Sequence, residues 1–116
     1  VQRKFRLTRS DDFKRVRRSG KSYAHPLVIL VVQNNEQDTL RVGITAGRTT
    51  GTAVHRNRAK RLLREAMRTL IPNTASHADL LLIARPALVS ATLADATQAL
   101  QSLLQRAHLV SSPNES

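Results

Sequence analysis

The chain has no cysteine, which excludes disulfides, thiolate nucleophiles and cysteine-based zinc sites. Aromatic side chains are almost missing: Phe5, Phe13 and Tyr23 are all there are, so a core must be aliphatic. Acidic residues number eight against nineteen Lys and Arg. No apolar run approaches the roughly 18 residues that a membrane-spanning helix requires. The opening residues carry no signal-peptide pattern, so a cytoplasmic protein is the expectation. His25, His55, His77 and His108 share no metal-ligand spacing such as H-x-x-x-H.

What remains is one domain's worth of chain, 116 residues with an ordinary 41% of hydrophobic residues, enough for a modest core. A single domain is expected over residues 1–110, with a disordered tail at 111–116. The charge is the informative feature. The net charge is +11, and fifteen of the nineteen basic residues are Arg, whose planar fork of donors suits phosphate and base stacking. Such an excess costs self-repulsion and favours a polyanionic partner. The alternative, a solvated basic surface serving solubility, predicts scattered charge, whereas the charge here is clustered.

Patterning along the chain predicts a small α/β sandwich. "TRSDDFKRVRRSG" reads as a short helix, with Thr8 and Asp11 spaced as a capping box and Gly20 at its exit. "KSYAH" is a candidate short strand. "PLVILVVQ" is a continuous β-branched run suited to a strand covered on both faces, and "TLRVGIT" is an alternating strand. Residues 52 to about 71 form the clearest helix, stopped by Pro72 and Asn73. "ADLLLIA" reads as a buried strand. A last helix follows, with Ser90 as its N-cap and Leu93, Ala96, Leu100, Leu103, Leu104 and Ala107 on one stripe. The order is α-β-β-β-α-β-α, and the strands flanking the basic helix form a candidate βαβ unit.

That helix carries, in "AVHRNRAKRLLREAMR" at residues 53–68, seven basic side chains, His55 included, and one acid, Glu65. At 100° per residue, Ala59, Leu62, Leu63, Ala66, Met67 and Leu70 fall within an arc of about 140°. Lys60, Arg61, Arg64 and Arg68 fall within about 100° on the other side. Arg56 and Arg58 flank the apolar arc, and Asn57 lies on the basic side. A merely solvated helix would carry opposite charges at i, i+4, and only Glu65 can offer one, to Arg61 or Arg68. Unpaired charge one turn apart is relieved by a row of phosphates.

The loop before it, "GRTTGTA", leads Gly and Thr into a helix N-terminus, where free N–H groups favour anions. It is not a nucleotide-binding P-loop: Gly47 and Gly51 enclose three residues rather than four, and no Lys follows. Protein-borne catalysis finds no constellation. Asp11 and Asp12 read as capping residues, Asp38 lies in a turn, and Asp79 and Asp95 stand alone.

"RVGITAGRTTGTAVHRNRAKRLLREAMR", with the upstream "FRLTRSDDFKRV", resembles the protein subunit of bacterial ribonuclease P over roughly residues 5–108. The specific elements are Arg56-Asn57-Arg58, the Arg41-Val42-Gly43 strand and the Gly51-Thr52-Ala53-Val54 loop. The resemblance implies a two-layer α/β sandwich with a small mixed sheet, three helices and a left-handed βαβ crossover around the basic helix, against the usual hand. It implies that a large RNA carries the catalytic site and the Mg²⁺ and removes the 5′ leader of precursor tRNA. The protein, a monomer bound one-to-one to that RNA, would carry no catalytic residue and no metal.

By position, Arg56, Asn57, Arg58, Lys60, Arg61 and Arg64 match the RNA-binding motif. Arg68 continues the basic face, and Arg48 with Thr49 stands where the family has paired lysines. Phe13 matches an aromatic of the leader cleft, or else anchors the short helix on the sheet. Two positions that can be aromatic in the family are Arg17 and Val31 here, which shifts the cleft from stacking toward phosphate contact. Tyr23 fits either the core edge or the cleft. The rival readings are a ribosomal-type RNA-binding domain, a nuclease with its own active site, and a DNA-binding module, the last without a helix-turn-helix pattern.

Overall fold

The computed structural model describes residues 10–34, 40–74 and 78–109, and at 10–13 and 73 it describes the backbone alone. Helix α1 spans Ser10–Ser19, and strands β1, β2 and β3 span Lys21–Ala24, Val28–Asn34 and Arg41–Ala46. A 3-10 turn at Arg48–Thr50 leads into helix α2, Ala53–Leu70. A 3-10 turn at Ile71–Asn73, strand β4, Ala78–Ala84, a further 3-10 turn, Pro86–Ser90, and helix α3, Leu93–Arg106, complete the order expected from the sequence. The Thr8 cap and the 111–116 tail lie outside the described residues.

The four strands run in the order β1-β2-β4-β3. β1 pairs with β2 and β2 with β4 antiparallel, whereas β3 lies parallel to β4. Parallel neighbours need a long crossover, and α2 supplies it. β4, central and covered on both faces, is therefore apolar nearly throughout, with six of its seven residues buried.

Alternation along the strands divides the sheet into two unequal faces. Val28, Leu30, Val42, Leu80, Leu82 and Ala84 meet Ala59, Leu63, Ala66 and Met67 of α2 and Ala96, Ala99, Leu100, Leu103 and Leu104 of α3 in the main core. On the opposite face α1 makes a much smaller cluster, Val16 with Val31 and Leu81, and Ile29 and Ile83 at its margin. Among the described residues of α1, Val16 supplies the buried apolar contact. Gly20 lets the end of this helix sit directly on β2: a Cβ there would meet the Val16 carbonyl at 2.5 Å and Val31 Cγ1 at 2.7 Å.

The start of α3 differs from expectation. Ser90 closes the 3-10 turn, and the cap is Thr92, whose Oγ1 accepts from Asp95 N while Asp95 Oδ2 accepts from Thr92 N, both at 3.1 Å. Ser90 has Leu93 three residues on and cannot form this reciprocal box. Leu93 is consequently an exposed first-turn residue, 47% accessible, rather than part of the stripe, and Ala99 joins the stripe.

Candidate nucleic-acid interface

The basic helix separates its two chemistries as its periodicity predicts. Ala59, Leu63, Ala66 and Met67 are buried, and Arg61, Arg64 and Arg68 face solvent. Thr52 caps the helix, its Oγ1 accepting from His55 N at 3.4 Å. Glu65 sits 3.4 Å from Arg68, an exposed pair of small energetic weight. Among the described residues, Lys60, Arg61 and Arg64 have no ion pair and no side-chain hydrogen bond. Within the described residues, three neighbouring cations thus lack a compensating charge.

The residues at the head of the helix are tied into the fold. Arg56 Nε donates to the Gly51 carbonyl at 3.3 Å, folding back on the entry loop. Arg58 Nε donates to the Val89 carbonyl at 2.9 Å, and its Nη2 lies 3.5 Å from the Ala91 carbonyl. Asn57 is exposed between them, as is Arg48 in the preceding turn. Val54 projects into solvent, 75% accessible, in the first turn. Gly51 has φ +124°, and a Cβ there would lie 2.8 Å from His55 Nδ1, so the turn into the helix requires glycine.

The second candidate surface lies beneath α1. Strand register arranges this face of the sheet in three ranks, Gln33–Asp79–Arg41, Val31–Leu81–Gly43 and Ile29–Ile83–Thr45. The first rank is a polar cluster. Asp79, fully buried, accepts from Arg41 Nε at 2.9 Å and Nη2 at 2.8 Å, and from Arg15 Nη2 at 2.7 Å. Arg15 Nη1 also donates to Gln33 Oε1. The second rank lies under Val16. Beside it a groove of about 130 Å³ opens, lined by Lys14, Arg17, Thr45 and Leu81.

Of the residues expected in a leader cleft, Arg17 lines this groove. Val31 is 2% exposed beneath Val16, so its atoms belong to the small core and offer no contact surface. The Phe13 side chain lies outside the described residues. Tyr23 is paired with Leu30 on the opposite, α3 face of the sheet, so it does not belong to the groove. There Lys21 Nζ and the Arg106 guanidinium stand 5.5 and 5.9 Å from its ring centroid.

Asp79 stands alone in the sequence, and spacing along the chain singles out neither Arg15 nor Arg41 as its partner. A usable signal existed: an acid opening a strand that is apolar on both faces must be buried, and a buried carboxylate needs cationic partners.

The model of the Ribonuclease P family matches residues 1–108. Curated relatives named "Ribonuclease P protein component" include one from Chloroflexus aurantiacus, 36% identical over 97% of this chain and 84% of its own length. Another, from Limosilactobacillus reuteri, is 34% identical over 99% of both chains. Among solved structures, the RNase P protein of Staphylococcus aureus superposes with a TM-score of 0.82 at 29% identity, over 92% of this chain and 98% of that one. The Thermotoga maritima protein superposes at 0.78 with 28% identity, over 87% and 96%. With its expected order of elements, its Arg-Asn-Arg helix and these near full-length matches, the chain belongs to the ribonuclease P protein family, the protein components of an RNA-based endoribonuclease of tRNA processing.

Proposed function

We propose that the outward face of α2 binds the catalytic RNA through Lys60, Arg61, Arg64 and Arg68, with Arg48, Arg56, Asn57 and Arg58 at its head. The α1 groove, with Arg17 and Phe13, then receives the single-stranded 5′ leader of precursor tRNA. The observation that carries this reading is the set of neighbouring cations on α2 with no partner among the described residues. Phosphates would neutralise them and release counterions, a gain that a protein partner of mixed charge does not supply.

In this reading the protein contributes by electrostatics and position, as a monomer, one per RNA, in the cytoplasm, with residues 1–110 as one domain. Bond cleavage belongs to the RNA, where bound Mg²⁺ supplies the metal chemistry. Among the described residues no three His, Asp or Glu side chains come together as metal donors. Asp79, the buried carboxylate, is engaged by two guanidinia. The described residues therefore do not fit a protein-held Mg²⁺. By spreading positive charge along close-packed phosphates, α2 would lower the Mg²⁺ concentration that the RNA needs.

The test is cleavage of labelled precursor tRNA at low Mg²⁺ by protein alone, RNA alone and both. Cleavage only with both, or much faster with both, supports the reading. Cleavage by protein free of RNA would reveal an active site in the protein. An unchanged Mg²⁺ requirement would remove the electrostatic account.

A further inference from the structure

We propose that Asp79 is the positioning residue of the α1 groove, setting the height and tilt of α1 over the sheet through Arg15. This rests on reading the groove as the leader site. The described packing gives such a device a clear place. Among the described side chains of α1, Val16 is the fully buried one, over Val31 and Leu81. One contact fixes a point but not an orientation. Close approach at Gly20 fixes the exit of the helix. A further constraint, on the first rank of the sheet, is the bridge from Arg15 to Asp79 and Gln33.

The geometry of that bridge suits positioning. Arg41 occupies both carboxylate oxygens of Asp79 from β3, holding the acceptor in place from the sheet side. Asp79 is fully buried and the Arg15 side chain is 40% exposed, so the anchor is rigid and the helix side lies at the groove. Lys14 and Arg17, the groove's cationic lining, flank Arg15 and Val16 in sequence and move with them. The carboxylate also offsets part of the charge of two guanidinia.

The experiment uses the full chain reconstituted with the catalytic RNA. The quantity read is the preference for precursor over mature tRNA, with cleavage prevented, across a salt series. Asp79→Asn and Arg15→Gln are expected to lower that preference by about tenfold, as loss of a charged hydrogen bond would. The salt slope of leader binding stays unchanged, because every phosphate remains neutralised as before. Arg15→Lys keeps the charge but cannot span Asp79 and Gln33 together, and falls between. The groove variant Lys14→Gln/Arg17→Gln also lowers the preference, but its slope drops by about 0.7 for each single-strand phosphate that is no longer neutralised.

Arg15→Gln retains the Asp79–Arg41 pair and so tests the proposal even if Asp79→Asn fails to fold. If the groove variant loses preference while Arg15→Gln does not, the positioning role is overturned and the leader reading stands. If Arg15→Gln lowers the salt slope, Arg15 touches the leader itself and the positioning role is likewise overturned. If neither variant changes the preference, both readings fall.

Discussion

The guanidinium of Arg58 is bound at 2.9 Å to the carbonyl of Val89, joining the head of the basic helix to the turn that precedes α3. That turn buries Leu88 in the main core and closes against the 3-10 turn at Arg48–Thr50. Arg58 therefore supports the shape of the loop entering α2, whatever it does for RNA. Arg58→Ala should destabilise the free protein by about 1 kcal/mol, the net worth of an ordinary hydrogen bond. Urea unfolding without RNA measures this. An unchanged midpoint would mean that the tether carries no weight.

Arg61 and Arg64 give the opposite expectation. Neither has a partner among the described residues, so replacing either by Ala should change stability by less than about 0.5 kcal/mol. Affinity for the catalytic RNA should nonetheless fall, with the slope of log K against log salt shallower by about 0.9 for each duplex phosphate left unneutralised. A filter-binding salt series on each variant distinguishes this from the Arg58 effect.

Gly51 is held at φ +124° directly against His55. Gly51→Ala should cost about 1–3 kcal/mol through backbone strain alone. Adding His55→Ala removes the clash at 2.8 Å but leaves the dihedral, so only partial recovery of thermal stability is expected. Full recovery would show that the imidazole, not the backbone, sets the requirement.

The reciprocal cap of α3 predicts that Thr92→Ala lowers stability by about 1 kcal/mol, while Ser90→Ala does much less. Thermal melts of the two variants decide between the two N-caps. A larger loss at Ser90 would restore the boundary that the sequence pattern suggests.

Some of this molecule was legible in one dimension. The 3.6-residue rhythm of Leu62, Leu63, Ala66 and Met67 against Lys60, Arg61 and Arg64 depends only on local helix geometry, so the two faces of α2 followed from spacing. The β-branched run before Gln33 and the stop at Pro72 are equally local. The family resemblance lay in a short contiguous motif.

What lay beyond reach is what requires two distant segments to meet. Asp79 reads as an isolated acid until Arg15 and Arg41 converge on it, from separations of 64 and 38 residues. Whether Arg58 faces phosphate or the Val89 carbonyl depends on where the chain returns 31 residues later. Val31 and Tyr23 were assigned to opposite faces by strand register, because a one-residue difference in pairing reverses every side chain. Periodicity specifies a face of an element. Only packing decides what that face meets.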